Sequence, residues 1–191
     1  MEFVKSPKMP RLSREVIVTE KIDGANAQIG IMEMEGFPVP GAIYEAEGLA
    51  LFAGSRNRWI TPANDNFGFA KWCMYNAKEL LDLGIGRHHG EWWGQGIQRG
   101  YGLKERRFSL FNVLRWADDT VRPKCCHVVP ELWRGIFNTT AVEAEIGRLR
   151  EEGSKASPGF MKPEGIVVFH TAGNFGMKKT LEKDETPKSL I

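Results

Sequence analysis

Positive charge is almost absent as a bulk property: 26 Lys and Arg stand against 24 Asp and Glu, a net +2 over 191 residues. That balance excludes a general electrostatic hold on nucleic acid, so any phosphate contact must come from a local cluster. Cysteine is scarce too. Cys73, Cys125 and Cys126 show neither a paired framework nor metal-ligand spacing, and Cys125-Cys126 beside His127 lacks the partners a zinc site needs. Buried free thiols in a reducing cytoplasm are the expectation. No apolar run reaches the length that spans a bilayer, and the basic residues of Met1 to Arg14 have no signal-peptide core behind them. Repeats and low-complexity tracts are missing as well. These absences predict a cytoplasmic chain that makes no use of a membrane.

What is present is ordinary in amount: 42% hydrophobic and 26% charged residues, with six Trp and eleven Phe. The length predicts one domain over 1–191, with a core of useful size. Residues 1–14, with Pro7 and Pro10, read as an irregular lead-in, and 182–191 as a loosely ordered tail. Strand patterns dominate. Helical spacing of Phe69, Trp72, Cys73, Ala77, Leu80 and Leu81 predicts a helix over about 66–83, stopped by Gly84 and Gly86. Thr140-Ala141-Val142-Glu143 reads as a capping box opening a second helix to about Glu152. Strands are predicted over 88–94, 108–113, 126–132, 164–170 and 175–181. The fold class is therefore α+β, with mostly antiparallel sheets and flanking helices.

One stretch stands out: Thr19-Glu20-Lys21-Ile22-Asp23-Gly24-Ala25-Asn26, between the apolar runs 16–18 and 27–31. Asp-Gly between two apolar runs is a two-residue hairpin signal. As a hairpin it sets Lys21 across from Asn26, and alternation puts Thr19, Lys21, Asn26 and Gln28 on one face. A lysine and two carboxamides would then share the polar side of a sheet with a greasy back.

Further patches follow in order: Ser55-Arg56, Gly90-Glu91, Phe108 to Val113, and Glu164-Gly165-Ile166 followed by Met177-Lys178-Lys179. With Lys21-Ile22-Asp23-Gly24 at its head, this series resembles the covalent nucleotidyltransferases, the family of polynucleotide ligases and mRNA-capping enzymes. It is most similar to the RNA-ligase branch with the phage double-strand-type RNA ligases, because Glu20 precedes the lysine and Asn26 follows it by five residues. The resemblance runs from about Thr19 to Thr180. Each patch alone is weak; the ordered set is specific.

The resemblance implies a nucleotidyltransferase fold and an ATP-dependent reaction. A lysine amine attacks the α-phosphorus of ATP, AMP passes to a 5′-phosphate end, and a 3′-hydroxyl displaces it. Lys21 is the implied nucleophile. An amine attacks only when deprotonated, and positive neighbours, here Lys178 and a bound metal, disfavour its ammonium form. Nucleotide contacts are implied for Glu20, Ile22, Asn26, Arg56, Glu91, Phe111, Glu164 and Lys178. Arg56 would grip a phosphate, with Arg58 its rival. Glu91 would accept from ribose hydroxyls, and Phe111 would stack on adenine, with Phe108 its rival. Glu164 would help hold Mg²⁺ or Mn²⁺, and Lys178 would neutralise charge on the α-phosphate.

The pattern departs from the family's in two places. The last motif usually has two lysines one residue apart, whereas Lys178 and Lys179 are adjacent and must face opposite ways; Lys178 is the expected participant. After Thr180 only eleven residues remain, so no appended OB or helical C-terminal domain is expected, and an accessory protein could take its place. Arg99, Lys104, Arg106 and Arg107 around Tyr101, together with Arg58, form the expected contact for nucleic acid carrying 5′-phosphate and 3′-hydroxyl ends, RNA in preference. The alternatives are a non-catalytic module that binds nucleotides or nucleic-acid ends, and an adenylyltransferase acting on DNA ends or another acceptor.

Overall fold

The run Glu15-Val16-Ile17-Val18-Thr19-Glu20-Lys21 is rich in β-branched residues, which suit a pleated strand, and it forms β1 (Glu15–Lys21). Five successive residues, 16–20, are buried, as expected of a strand covered on both faces. In the computed structural model, which describes residues 2–6, 8–182, 184 and 185, the chain divides into two compact units. One comprises residues 1–21 and 130–191, the other 22–129. Elements are numbered along the chain.

In the first unit β1 is an inner strand of a four-stranded antiparallel sheet. It lies between β9 (Glu131–Ile136) and β10 (Gly165–His170), with β11 (Phe175–Thr180) outside β10. Helix α4 (Thr139–Glu152) lays Val142, Ile146 and Leu149 against Val16, Val18, Ile166 and Val168. Each such side chain contributes on the order of 1.5–3 kcal/mol when fully buried.

The second unit holds the larger sheet. Its strands are β2 (Ala25–Glu33), β3 (Tyr44–Ala46), β4 (Leu49–Ser55), β5 (Trp59–Ile60), β6 (Gly86–Gly94), β7 (Arg106–Leu110) and β8 (Cys126–Val128). The order is β3-β4-β2-β6-β7-β8, with β5 on β4 and only the β7–β8 pair parallel. Helices α1 (Phe69–Tyr75) and α2 (Ala77–Leu80), and a single 3₁₀ turn over 81–83, supply Phe69, Cys73, Leu80 and Leu83 to its core. Short helix α3 (Val113–Trp116) follows β7. The chain is thus α+β with mostly antiparallel sheets, as its sequence predicts.

Four local expectations need correction. Asp23-Gly24 is not a hairpin turn: β1 pairs with β9 and β10, while β2 pairs with β4 and β6. Lys21 therefore does not face Asn26 across a ladder, and Thr19 and Lys21 lie in a different sheet from Asn26 and Gln28. Side chains and a close backbone approach hold the Asp-Gly step: Asp23 N–H donates to the Tyr101 hydroxyl (2.9 Å) and Gly24 N–H to Glu91 Oε1 (3.1 Å). A Cβ on Gly24 would stand 2.5 Å from the Trp92 carbonyl oxygen. The strand predicted to reach Val113 stops at Leu110, because the Asn112 side chain accepts from Arg115 N–H and caps α3. The strand predicted over 126–132 is two strands, since Pro130 between them has no N–H to donate. Finally, Asn138 caps α4, accepting from Thr140 and Ala141, and Glu143 pairs with Lys179 instead of closing a capping box. Most of the expected tail, 182–191, lies outside the described residues.

Candidate active site

Register decides which side chains share a face. In the four-stranded sheet Lys21 lies opposite Gly165, and Gly165 opposite Thr180; Thr19 lies opposite Val167, and Val167 opposite Lys178. Directly opposed residues point the same way and alternate ones agree. Lys21, Lys178 and Thr180 therefore share one face. On it Lys21 Nζ donates to Glu164 Oε2 at 2.5 Å, with the carboxylate side chain 6% exposed. Glu164 stands just before β10, where strands β10 and β11 run so close that a Cβ on Gly165 would lie 2.2 Å from the Lys179 carbonyl oxygen. Only glycine tolerates that approach.

The opposite face belongs to α4. Lys179 points there and donates to Glu143 at 2.5 Å, while Lys178 is exposed. Glu20 points there too. Its buried carboxylate accepts from the Ser154 hydroxyl (2.6 Å) and the Ala156 N–H (2.9 Å). Burial pushes the Glu20 carboxyl above its usual range, and the bonds from Ser154 and Ala156 oppose that rise. The nucleotide contact expected of Glu20 is therefore not one its carboxylate can make from this position. Ile22 is buried.

The larger sheet has a polar face of its own. Asn26 lies opposite Glu91, and Glu91 opposite Ser109. Gln28 lies opposite His89, whose carbonyl accepts from Phe111 N–H (3.0 Å). Phe111, one residue beyond β7, alternates onto this side and is 39% exposed. Its rival Phe108 is fully buried against Phe69 and Trp72. The aromatic available to a ligand is Phe111. Arg56 follows β4 directly and is exposed. Arg58, also exposed, lies with Nη1 3.5 Å from the Asn64 carbonyl oxygen, and its own carbonyl accepts from Ser55 N–H.

The basic loop is a different matter. Arg99 Nε donates to Asp23 Oδ2 (3.1 Å). Arg106 donates to the carbonyls of Gln95 and Phe67, and Arg107 to Glu105. Three of the four cations expected to meet nucleic acid there are engaged inside the unit; Lys104 is exposed. What sequence reasoning missed is that Tyr101 and Arg99 brace Asp23, the residue two beyond the lysine. Tyr101 is buried at φ 50°, a backbone region rare for a bulky residue. Nothing in the spacing of 23 and 101 signals that pairing.

The three thiols are free. Hydrogen bonding to Cys125 and then burial push the Cys126 thiol up, and burial pushes up Cys73, so both stay protonated. His88 is buried with Nε2 2.8 Å from the Gly84 carbonyl oxygen, and His170 bonds carbonyls of residues 11 and 12. Both act in the framework. Among the described residues no helix is long and apolar enough to cross a membrane.

Solved structures of Naegleria gruberi RNA ligase share this fold. A mutant with ATP and Mn matches at 20% identity and a TM-score of 0.60 over 90% of this chain and 51% of that one. A mutant with AMP and Mn matches at 19% and 0.59, over 88% and 50%, and the enzyme with PPi at 18% and 0.57, over 92% and 53%. The present chain spans about half the length of those proteins. No curated protein matches it. A sequence profile described as RNA ligase matches residues 14–181. This chain belongs to the RNA ligase family.

Proposed function

We propose that this chain is an ATP-dependent adenylating domain that works through a covalent lysyl-AMP and seals polynucleotide ends, RNA in preference. The observation that carries the reading is the Lys21 amine held 2.5 Å from the buried carboxylate of Glu164, on the face that also bears Lys178. Lys179 and Glu143 make an equally short pair, but with side chains 35% and 59% exposed, against 20% and 6% for Lys21 and Glu164.

The Lys21 ammonium must lose a proton before it can attack, and Glu164 Oε2 is the group within reach that can pass it on to water, returning to the carboxylate that would hold the cation. The free amine then bonds to the α-phosphorus of ATP, and pyrophosphate leaves with the electrons of the broken P–O bond. Lys178 places a cation on the same face against charge that grows on the α-phosphate. Exposed Phe111 offers a ring for adenine, Glu91 an acceptor for ribose hydroxyls, and Arg56 a planar donor fork for phosphate. Transfer of AMP to a 5′-phosphate and its displacement by a 3′-hydroxyl would complete the cycle.

The residues fit a divalent cation of the Mg²⁺ or Mn²⁺ kind. Among the described residues no cluster of three or more His, Cys, Asp or Glu could cage a metal, and a hard cation bound through one carboxylate with substrate phosphates and water needs none. Glu164 would hold it, and it would supply positive charge against the triphosphate. That the solved Naegleria gruberi enzyme carries ATP and Mn supports this choice of cofactors.

The test is incubation with α-labelled ATP and Mg²⁺ or Mn²⁺, followed by denaturing electrophoresis. A label on the wild type that survives alkali and is released by acid, as a phosphoramidate is, and that is absent from Lys21→Arg, is expected; chased with 5′-phosphorylated RNA it should move to the RNA. Tight ATP binding with no covalent label would sink the reading in favour of a non-catalytic nucleotide-binding module. Movement of label to DNA but not RNA would change the acceptor.

A further inference from the structure

The stretch before β1 carries a cationic excess whose side chains are left open. Residues 1–14 hold Lys5, Lys8, Arg11 and Arg14 against Glu2 alone, while the other 177 residues carry 22 cations against 23 carboxylates. Its described residues are all exposed. Among them, Lys5, Lys8 and Arg11 have no described side-chain partner, and Arg14 reaches only the carbonyl of Ser13 at 3.4 Å. The basic loop over 98–107 is the opposite, its arginines folded back onto carboxylates and carbonyls.

Spacing adds a second feature. The four cations recur every third residue, and Phe3, Met9 and Leu12 fall in a second register of three. An extended chain with three residues per turn, which Pro7 and Pro10 favour, aligns each register on one side, with roughly 9 Å between successive members. In that conformation one side would be a line of cations. The neighbouring side carries Phe3, 89% exposed, and Met9, 93% exposed. The base of the arm is fixed: the carbonyls of Arg11 and Leu12 lie 3.1 and 3.2 Å from His170 Nε2, and that of Arg14 accepts from Phe137 N–H. The described residues upstream of Arg11 are thus exposed and without described hydrogen bonds or ion pairs, while the base of the stretch is fixed.

We propose that residues 3–14 are a docking strand for single-stranded polynucleotide, with Lys5, Lys8, Arg11 and Arg14 on backbone phosphates and Phe3 stacked under a base. This deepens the proposed function and rests on it for the identity of the polyanion. Clustered cations beside an aromatic suit a single strand, because phosphate contacts supply the affinity and stacking tolerates any base. With Arg99, Arg106 and Arg107 of the basic loop already bonded within their unit, the open cations of the arm are the better placed to meet phosphates.

The test is fluorescence anisotropy of the full chain with a labelled 20-nucleotide RNA bearing a 5′-hydroxyl, without ATP, across a salt series. Because no adenylation is read, failure of the lysyl-AMP reading leaves this result interpretable. Each phosphate contact on a single strand contributes roughly 0.7 to the slope of log affinity against log salt. The triple variant Lys5→Ala/Lys8→Ala/Arg11→Ala should lower that slope by about 2 and weaken binding about a hundredfold at 0.1 M salt. Its thermal midpoint should stay at the wild-type value. Phe3→Ser should weaken binding about tenfold with the slope unchanged. Equal affinity and slope in the triple variant and the wild type would overturn the proposal. So would an absence of RNA binding by the wild type, or arm-dependent binding confined to phosphatidylserine vesicles, which would make the arm a membrane contact.

Discussion

The two faces of the four-stranded sheet carry similar residues and treat them differently. On the α4 side Glu20 is bonded to Ser154 and Ala156, and Lys179 to Glu143. Each of these groups has a fixed intramolecular partner, and Glu20 is buried besides. On the other side Lys21 and Glu164 have each other, and Lys178 is exposed. The pair there is strong as it stands, yet each member is the natural partner of something else: the carboxylate of a cation, the amine of a phosphorus. The larger sheet repeats the division, with Phe108 in the core and Phe111 half-open beside Glu91 and Asn26. In the four-stranded sheet the α4 face closes its polar groups locally; in the larger sheet the candidate face sets Phe111 open while Glu91 also accepts from Gly24 N–H.

The comparison breaks most sharply at Lys21. Lys21→Arg keeps a cation for Glu164, so the fold should hold, while covalent labelling with ATP falls to background; a labelled Lys21→Arg would place the nucleophile elsewhere. The adjacent lysines come next. Lys178→Ala should slow adduct formation by about 10²–10³-fold in single-turnover measurements. Lys179→Ala should change stability by no more than about 0.5 kcal/mol, as for a surface ion pair, and leave labelling intact. Reversed effects would mean that the register does not assign their roles. The phenylalanines give the smaller contrast of the same kind. Phe108→Ala should cost about 3–5 kcal/mol in chemical denaturation. Phe111→Ala should leave stability nearly unchanged and weaken ATP binding about tenfold by calorimetry, in line with the loss of one stacked ring.

Strand content, fold class and the order of the motifs were legible because they rest on local signals. The β-branched run 16–19 and the apolar strand after Glu164 follow from local composition, and the choice of the ring at 111 over that at 108 followed from the resemblance. Adjacency of Lys178 and Lys179 forces them onto opposite faces, so only which face was left open. The Asp23-Gly24 step was misread for a physical reason. A two-residue hairpin and a crossing between sheets share the same local chemistry, and what separates them is the Tyr101 hydroxyl and the Glu91 carboxylate, 78 and 67 residues away. The same holds for the basic loop. Its arginines read as free cations until Asp23, Glu105 and the carbonyls of Phe67 and Gln95 are brought to them. Composition counts charges; only the fold shows which are already answered.

Glu20 offers the finest test of the division, as a change of slope. Burial raises its carboxyl above the ordinary value of 4.5, so the folded state binds that proton more firmly than the unfolded chain does. Stability contributed at this position is therefore greatest below about pH 4.5 and declines as pH rises through the folded value, after which the loss is constant. Glu20→Gln keeps an oxygen acceptor for Ser154 and Ala156 but cannot ionise. Denaturant midpoints from pH 4 to 8 should show the variant gaining on the wild type across that window and running parallel above it. The rate of adduct formation should be unchanged, because this carboxylate lies on the helix side of the sheet. A stability difference that ignores pH would mean the Glu20 proton is not coupled to folding, and a collapse in labelling would move Glu20 to the reactive face.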